Sequence, residues 1–294
     1  MRCALIGVTG QLGHDLARTF DLSGELVRLP RADLDLLAPG AIRRVLRDVQ
    51  PTHVVNCAAY NLVDRAEDER EKAFALNAHA VGELAEVCQA IGATLVHFST
   101  DYVFDGTKAT PYTEADAPAP LSVYAESKVA GERLALDRCR RAYVIRVCGL
   151  YGVAQSATAG RTSFVETMLR LAANGQAIRV VRDQVLSPSY TLDLAPKVWR
   201  VMMRGTPGIY HLSSAGQTSF YDFAREIFSL SGLTPSLTPV TAAEYGARAK
   251  RPPYSVMART RLAALGEDDL RPWPQALAAY LRERVTRPAA RAGS

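Results

Sequence analysis

The sequence predicts an α/β protein, a doubly wound parallel sheet with a smaller C-terminal lobe. Three observations lead there. Short apolar strands alternate with helical patterns through the first 150 residues. A glycine-rich turn, Gly7 to Gly13, follows the first of those strands. After about Tyr151 the rhythm changes to shorter elements separated by segments rich in Pro and Gly. The alternation implies parallel strands joined by right-handed helical crossovers. Ligands of such sheets bind at the carboxyl ends of the strands. With 294 residues, 48% of them hydrophobic, the chain can bury a core as one large α/β unit or two closely associated subdomains.

In order, CALIG (3–7) reads as a strand and Leu12 to Phe20 as a helix. LVRL (26–29) is the second strand, and Ile42 to Val49 is helical. HVVNCAA (53–59) is a strand, and Glu71 to Ile91 carries apolar residues at helical spacing. TLVHFST (94–100) is a strand, Tyr124 to Leu136 a helix, and YVIRVCGL (143–150) a strand again. These elements form a cofactor domain over 1–150, to which later segments return. Residues 151–285 form mainly the lobe: helices Phe164 to Ala173, Asp193 to Met203 and Ser219 to Leu230, with strands AIRVV (177–181) and GIYHLSS (208–214). The basic, small-residue end, 286–294, is expected to be disordered.

The net charge of +5 and the pI of about 9.0 suit a pocket for phosphorylated small molecules as well as nucleic acid. The arginines are scattered and no nucleic-acid motif is present, so no nucleic-acid partner is expected. Five cysteines, Cys3, Cys57, Cys88, Cys139 and Cys148, make an odd count without CxxC spacing. They read as free thiols of a reducing cytosol, with no metal site. The N-terminus runs straight into a strand, and no apolar run approaches the roughly 20 residues a membrane span needs. A cytoplasmic protein is expected.

Gly7, Gly10 and Gly13 sit where the first strand turns into the first helix. With Thr9, Gln11 and Leu12 they make a cradle for a pyrophosphate. Glycine lets the backbone approach it, and the helix N-terminus offers free N–H groups and partial positive charge. After the second strand, the position that usually carries an acidic ribose reader is Pro30, flanked by Arg28 and Arg31. This favours NADPH, with NADH the alternative, because a cation there accommodates a 2′-phosphate. Asp35 is expected at the adenine edge. Tyr124 and Lys128 lie one helical turn apart. A nearby ammonium lowers a phenol pKa from its ordinary value of about 10, making the tyrosine a usable acid. Ser99 and Thr100, at the end of the preceding strand, offer a hydroxyl to the oxygen that the tyrosine protonates. The acidic run Asp64, Glu67, Asp68, Glu69 and Glu71 reads as a solvated helix start.

These motifs resemble the extended short-chain dehydrogenase/reductase superfamily and, within it, the dTDP-4-dehydrorhamnose reductase family. The likeness runs to about Arg284, and STDYVFDGTKATPYTEADAPAPLSVYAESKVAGE (99–132) carries it most specifically. It implies NADPH-dependent reduction of the C4 ketone of a nucleotide-linked 4-keto-6-deoxy sugar, dTDP-4-dehydro-L-rhamnose being the first candidate. The same resemblance makes Tyr124 the proton donor, Lys128 its tuner and ribose ligand, and Thr100 the hydroxyl that polarises the ketone, with Ser99 beside it. Asp101 and Tyr102 would border the sugar. Asn56, Ala58, Ala59 and Tyr60 would line the cofactor, with Asn77 supporting from the facing helix. Related 4,6-dehydratases follow the threonine with Asp-Glu; here Asp101 and Tyr102 follow, which disfavours dehydration. A homodimer is compatible with the family.

The departures concern the substrate side. Where the family reads R-T-S-W, this chain has Arg146, Val147, Cys148 and Gly149. The D-Q-x-G-x-P-T segment is Asp183 to Ser189, the usual Asn-Phe pair is Ser163 and Phe164, and Tyr254 replaces a common asparagine. Gly149 and Phe164 are the expected substrate-side positions. Two alternatives stand beside the leading reading. One is the same chemistry on another keto sugar or ketone. The other is a non-catalytic NADP-binding regulatory subunit, similar to that of methionine adenosyltransferase.

Overall fold

The computed structural model describes residues 1–20, 24–153 and 163–286. The expected disorder of 286–294 therefore falls, beyond Thr286, outside the described residues. Strand β1 (Arg2–Ile6) leads into helix α1 (Gln11–Phe20), and β2 (Glu25–Leu29) into α2 (Ala41–Val49). After β3 (His53–Asn56) come α3 (Val63–Ala66), α4 (Arg70–Phe74), a π-helical turn at Ala75–His79, and α5 (Ala80–Ile91). Strand β4 (Thr94–Thr100) ends in a 3₁₀ turn, Asp101–Val103, and α6 (Val123–Arg138) and β5 (Ala142–Val147) follow. The second part holds β6 (Leu150–Tyr151), α7 (Phe164–Ala173), β7 (Ile178–Val181), β8 (Val185–Leu186), β9 (Ser189–Tyr190) and α8 (Thr191–Arg204). It continues with β10 (Gly208–Leu212), β11 (Thr218–Ser219), α9 (Phe220–Ser231), β12 (Leu237–Val240), α10 (Ala242–Tyr245), α11 (Thr260–Ala264) and α12 (Trp273–Thr286).

Six parallel strands form the central sheet in the order β10-β5-β4-β3-β1-β2. This is the Rossmann-type doubly wound sheet that the alternation predicts. Its strands are apolar on both faces because helices cover both. Leu5, Val55, Val96 and Ile145 pack with α1 and α8 on one side. Ala4, Ile6, Val54, Leu95 and Val144 pack with α2, α5 and the end of α6 on the other. The chain leaves β1 toward β2 and returns on the opposite side as β3, so the crevice for a ligand opens at the carboxyl ends of β1 and β3. Strand β10 and helix α8, from the second half, return to this sheet.

Two elements differ from the periodicity. The single helix expected over Glu71 to Ile91 is interrupted by the π turn. Helix α6 approaches so closely there that a Cβ on Gly131 would sit 2.0 Å from the Asn77 carbonyl oxygen. The strand expected over 143–150 ends at Val147, because Gly149 has φ +51° and turns the chain into β6, which pairs with β9. The lobe has its own core, built from Tyr151, Val165, Tyr190, Phe223, Leu277 and Tyr280. No helix among the described residues is long and apolar enough to cross a membrane.

Candidate active site

The glycine turn is shaped by close approach. Gly7 has φ +77°, and a Cβ on it would lie 2.8 Å from the Ala58 backbone nitrogen. A Cβ on Gly13 would lie 2.3 Å from the Gly7 carbonyl oxygen. A Cβ on Gly10 would make only an ordinary 3.5 Å contact with the Gly7 carbonyl oxygen, and Gly10 itself is exposed. Helix α1 then starts with no acidic residue in its first turn, so nothing there opposes an anion. Thr9 is exposed, whereas the Leu12 side chain belongs to the core and can offer only backbone. This cradle fits the pyrophosphate of a dinucleotide. Beyond β2, the exposed Arg31 guanidinium pairs with Asp35 through Nε (3.2 Å) and Nη2 (3.1 Å). Asp35 also accepts from the Leu37 backbone N–H, and that hydrogen bond leads in holding its carboxyl below the ordinary range.

Beneath the crevice lies a polar network that the sequence reading missed in part. Asn56 is buried; its Oδ1 accepts from Ala58 N (3.0 Å) and its Nδ2 faces His97 Nδ1 at 3.3 Å. The other nitrogen of His97 lies 3.3 Å from Lys128 Nζ, which also donates to the Phe98 carbonyl oxygen at 2.6 Å. Burial, then the Lys128 charge, push the His97 pKa well down, so the ring is neutral. It has one lone pair to offer two neighbours. His97 sits three residues before Thr100 in a strand read as core; its place on the strand facing the lysine was the available signal. Asn77 spends both N–H groups on protein, donating to the Tyr60 carbonyl oxygen (3.0 Å) and Ser127 Oγ (2.9 Å). Its Oδ1 accepts from Tyr60 N (2.8 Å). It braces the loop after β3 against α6. Half-buried Ala58 and Ala59 line that loop, and the Tyr60 hydroxyl donates to Glu69.

Helix α6 begins at Ser122, whose hydroxyl accepts from Ala125 N. Glu67 reaches across and accepts from Val123 N at 2.9 Å. This fixes Tyr124 above the end of β4. Burial raises the Tyr124 pKa, the Thr100 hydroxyl opposes the rise, and Asp101 adds to it. The phenol is therefore neutral. Lys128, expected to tune it, points instead to Phe98 and His97, and burial lowers its own pKa to about 8. Thr100 Oγ1 accepts from Tyr102 N (3.2 Å) and donates to Asp101 Oδ1 (3.1 Å). Ser99 Oγ is buried without a hydrogen-bond partner among the described residues.

On the substrate side, the Tyr102 ring meets Tyr124 edge-on at 6.3 Å, and its hydroxyl hydrogen-bonds Arg251. Arg251 pairs with Asp64 through both terminal nitrogens, at 3.0 and 2.7 Å, and Arg248 pairs with Asp68. Glu69 receives Tyr60, Arg65 and Lys72. The acidic run does open helices, with Asp64 in the first turn of α3 and Glu71 in that of α4, but most of it is also paired: it fastens the loop after β3 to residues 248–251 and caps α6. Asp101 is buried rather than lying open beside the sugar, with Cys148 Sγ donating to its Oδ2 at 3.1 Å. Phe164 is half-buried against Phe220 and Phe223, at 5.2 and 5.6 Å, so its ring is committed to the lobe's aromatic stack. Below this, buried Arg146 and Glu132 form a two-pronged ion pair (2.9 and 2.7 Å) that ties β5 to α6.

The model of the RmlD substrate binding domain family matches residues 1–286. The chain belongs to this family. It is 41% identical to the probable dTDP-4,6-dihydroxy-2-methyloxan-3-one 4-ketoreductase of Streptomyces antibioticus, over 94% of this chain and 93% of that protein. It is 40% identical to the spore coat polysaccharide biosynthesis protein SpsK of Bacillus subtilis, over 95% and 96%. Among solved structures, the dTDP-4-dehydrorhamnose reductase of Bacillus anthracis in complex with NADP superposes with a TM-score of 0.90 at 34% identity, covering 96% of this chain and 99% of that one.

Gly149, which departs from the RmlD family's tryptophan, has a structural reason. A Cβ there would sit 2.8 Å from Leu186 Cδ1 and 3.2 Å from Pro188 Cα. Leu186 joins Val103, Phe104, Cys148 and Met257 in a small apolar cluster beside the cleft, with Tyr254 and Phe220 packed on it. Leu186 and Pro188 thus occupy the space into which a side chain at position 149 would project.

Proposed function

We propose that the protein reduces the C4 ketone of a nucleotide-linked 4-keto-6-deoxy sugar with NADPH. The observation that carries this reading is the neutral Tyr124 phenol set against Thr100 at the end of β4, above a buried Lys128. A bound NADPH supplies the hydride. The glycine cradle and the first turn of α1 would hold its pyrophosphate, Arg31 would meet the 2′-phosphate, and Asn56 fixes the loop that would line it. Lys128 has three N–H donors; two are spent on Phe98 and His97, leaving one for a ribose hydroxyl. Thr100 and Tyr124 both face the keto oxygen. Tyr124 gives its proton as charge develops there, and the Thr100 hydrogen bond steadies that charge. Free thiols, four of the five buried, agree with a cytoplasmic enzyme.

A second reading keeps the chemistry and changes the sugar. It is favoured by Gly149 and by the Streptomyces antibioticus relative, whose name specifies a different 4-keto compound. NADPH oxidation is measured with dTDP-4-dehydro-L-rhamnose generated in place, and the product is identified by mass and NMR. Oxidation yielding dTDP-L-rhamnose, lost in Tyr124→Phe, supports the leading reading. Oxidation only with other 4-keto sugars moves the substrate assignment. Tight NADPH binding without turnover on any of them overturns the reductase.

A further inference from the structure

Thr100 has one proton and two claims on it. In the structure the hydroxyl donates to Asp101 Oδ1 at 3.1 Å, and its oxygen already accepts from Tyr102 N. If the hydroxyl turns its proton to a keto oxygen, Oγ1 and Oδ1 face each other as two acceptors. That contact is repulsive unless a proton sits on the carboxyl. The surroundings favour one. Asp101 is buried; the hydrogen bonds from Ser255, Cys148, Thr100 and its own backbone act to lower its pKa, but all of them come from neutral groups and no cation is among them. Burial leads in raising its pKa. The titratable groups facing it are Cys148 beyond β5, and Tyr102 and Tyr124, whose pKa values are also pushed up. The nearby cation Arg251 is engaged by Asp64 and the Tyr102 hydroxyl.

We propose that Asp101 works as a neutral acid in a directed hydrogen-bond chain, Cys148 S–H to Oδ2, Oδ1–H to Thr100, and Thr100 O–H to the keto oxygen. Asp101 and Cys148 are positioning residues; they orient the Thr100 proton and touch no reacting atom. The chain of donors explains why a thiol suffices where the RmlD family has serine: the position needs a short side chain that donates. It also gives the carboxyl after the threonine a part in reduction distinct from general acid catalysis. The proposal rests on the reductase reading for its kinetic consequence, but its central claim, the protonation of one carboxyl, is measurable without substrate.

Two measurements test it. Infrared difference spectra of the NADP⁺-bound protein, wild type minus Asp101→Asn, should contain at neutral pH the carbonyl band of an un-ionised carboxylic acid, shifted on exchange into deuterium oxide. Carboxylate bands alone in that difference overturn the proposal, whatever the substrate proves to be. In turnover, Asp101→Ala should lower kcat about tenfold to a hundredfold with little change in KM for NADPH, as expected for losing the orientation of one oxyanion donor. Asp101→Asn, whose amide donates to Thr100 and accepts from Cys148, should recover all but about threefold of that loss. Cys148→Ala should lose less than Asp101→Ala, and Cys148→Ser should restore it. Asp101→Asn as poor as Asp101→Ala, with both folded by thermal melt, also overturns the chain. A wild type without turnover sinks the reductase reading and leaves the infrared result to decide.

Discussion

On the floor of the cleft, Asn56, Asn77, His97 and Lys128 are buried and hydrogen-bonded to one another or to backbone. Along the rim, Gly149, Leu186 and Pro188 meet through apolar contact and one left-handed backbone turn. The floor is tied to the sheet, where a lost partner leaves a polar group buried and unpaired. The rim is carried by loops and short strands of the lobe, where a change of volume can be absorbed by repacking. This difference teaches why the chain keeps the reductase set intact while departing from the RmlD family around the sugar. The floor is held by buried polar contacts, the rim by apolar shape.

The most severe test beside the floor is Tyr124→Phe, which removes the proposed proton donor and keeps the ring. It should lower kcat by about 10²–10⁴-fold with NADPH affinity retained, read by steady-state oxidation and fluorescence titration. The rim is challenged by restoring the family residue. Gly149→Trp forces a side chain onto a positive-φ position already crowded by Leu186, and should cost about 2–4 kcal/mol in denaturant unfolding. If it left stability unchanged, the rim would not be packed as described.

His97→Ala sharpens the comparison, since it strips partners from Asn56 and Lys128 without touching Tyr124 or Thr100. A loss of about 1–3 kcal/mol in stability, with a higher KM for NADPH, is expected. The floor should also show in pH dependence. Lys128 is charged below its pKa of about 8 and neutral above it, so kcat/KM for NADPH should fall as pH rises through about 8. A profile flat through that range would remove Lys128 from cofactor binding. The smallest effect belongs to Asp64→Asn at the clasp. Its hydrogen bond from Arg251 leads in lowering the Asp64 pKa, so the pair stabilises above the unfolded value of 3.8 and is lost as pH falls below it. Asp64 is half exposed, and about 0.5 kcal/mol is expected at neutral pH, shrinking in high salt.

The order of strands and helices, the glycine turn and the placing of Thr100, Tyr124 and Lys128 at one end of the sheet were legible from the sequence by itself. Each rests on local pattern: two-faced apolar strands, helical spacing, and glycines that a turn requires. What only the tertiary structure decided are relations between segments far apart in the chain. His97 reads as one more residue of a core strand until α6 is laid over it and Lys128 arrives 31 positions later. The acidic run reads as unpaired until residues 248–251 of the lobe return to it, and the sequence pattern does not bring Cys148 to Asp101. Burial and pairing set the charge of a polar group, and no one-dimensional pattern carries them. The sequence thus determined which groups stand at the proposed site, and tertiary packing decided their partners and the shape of the wall beside them.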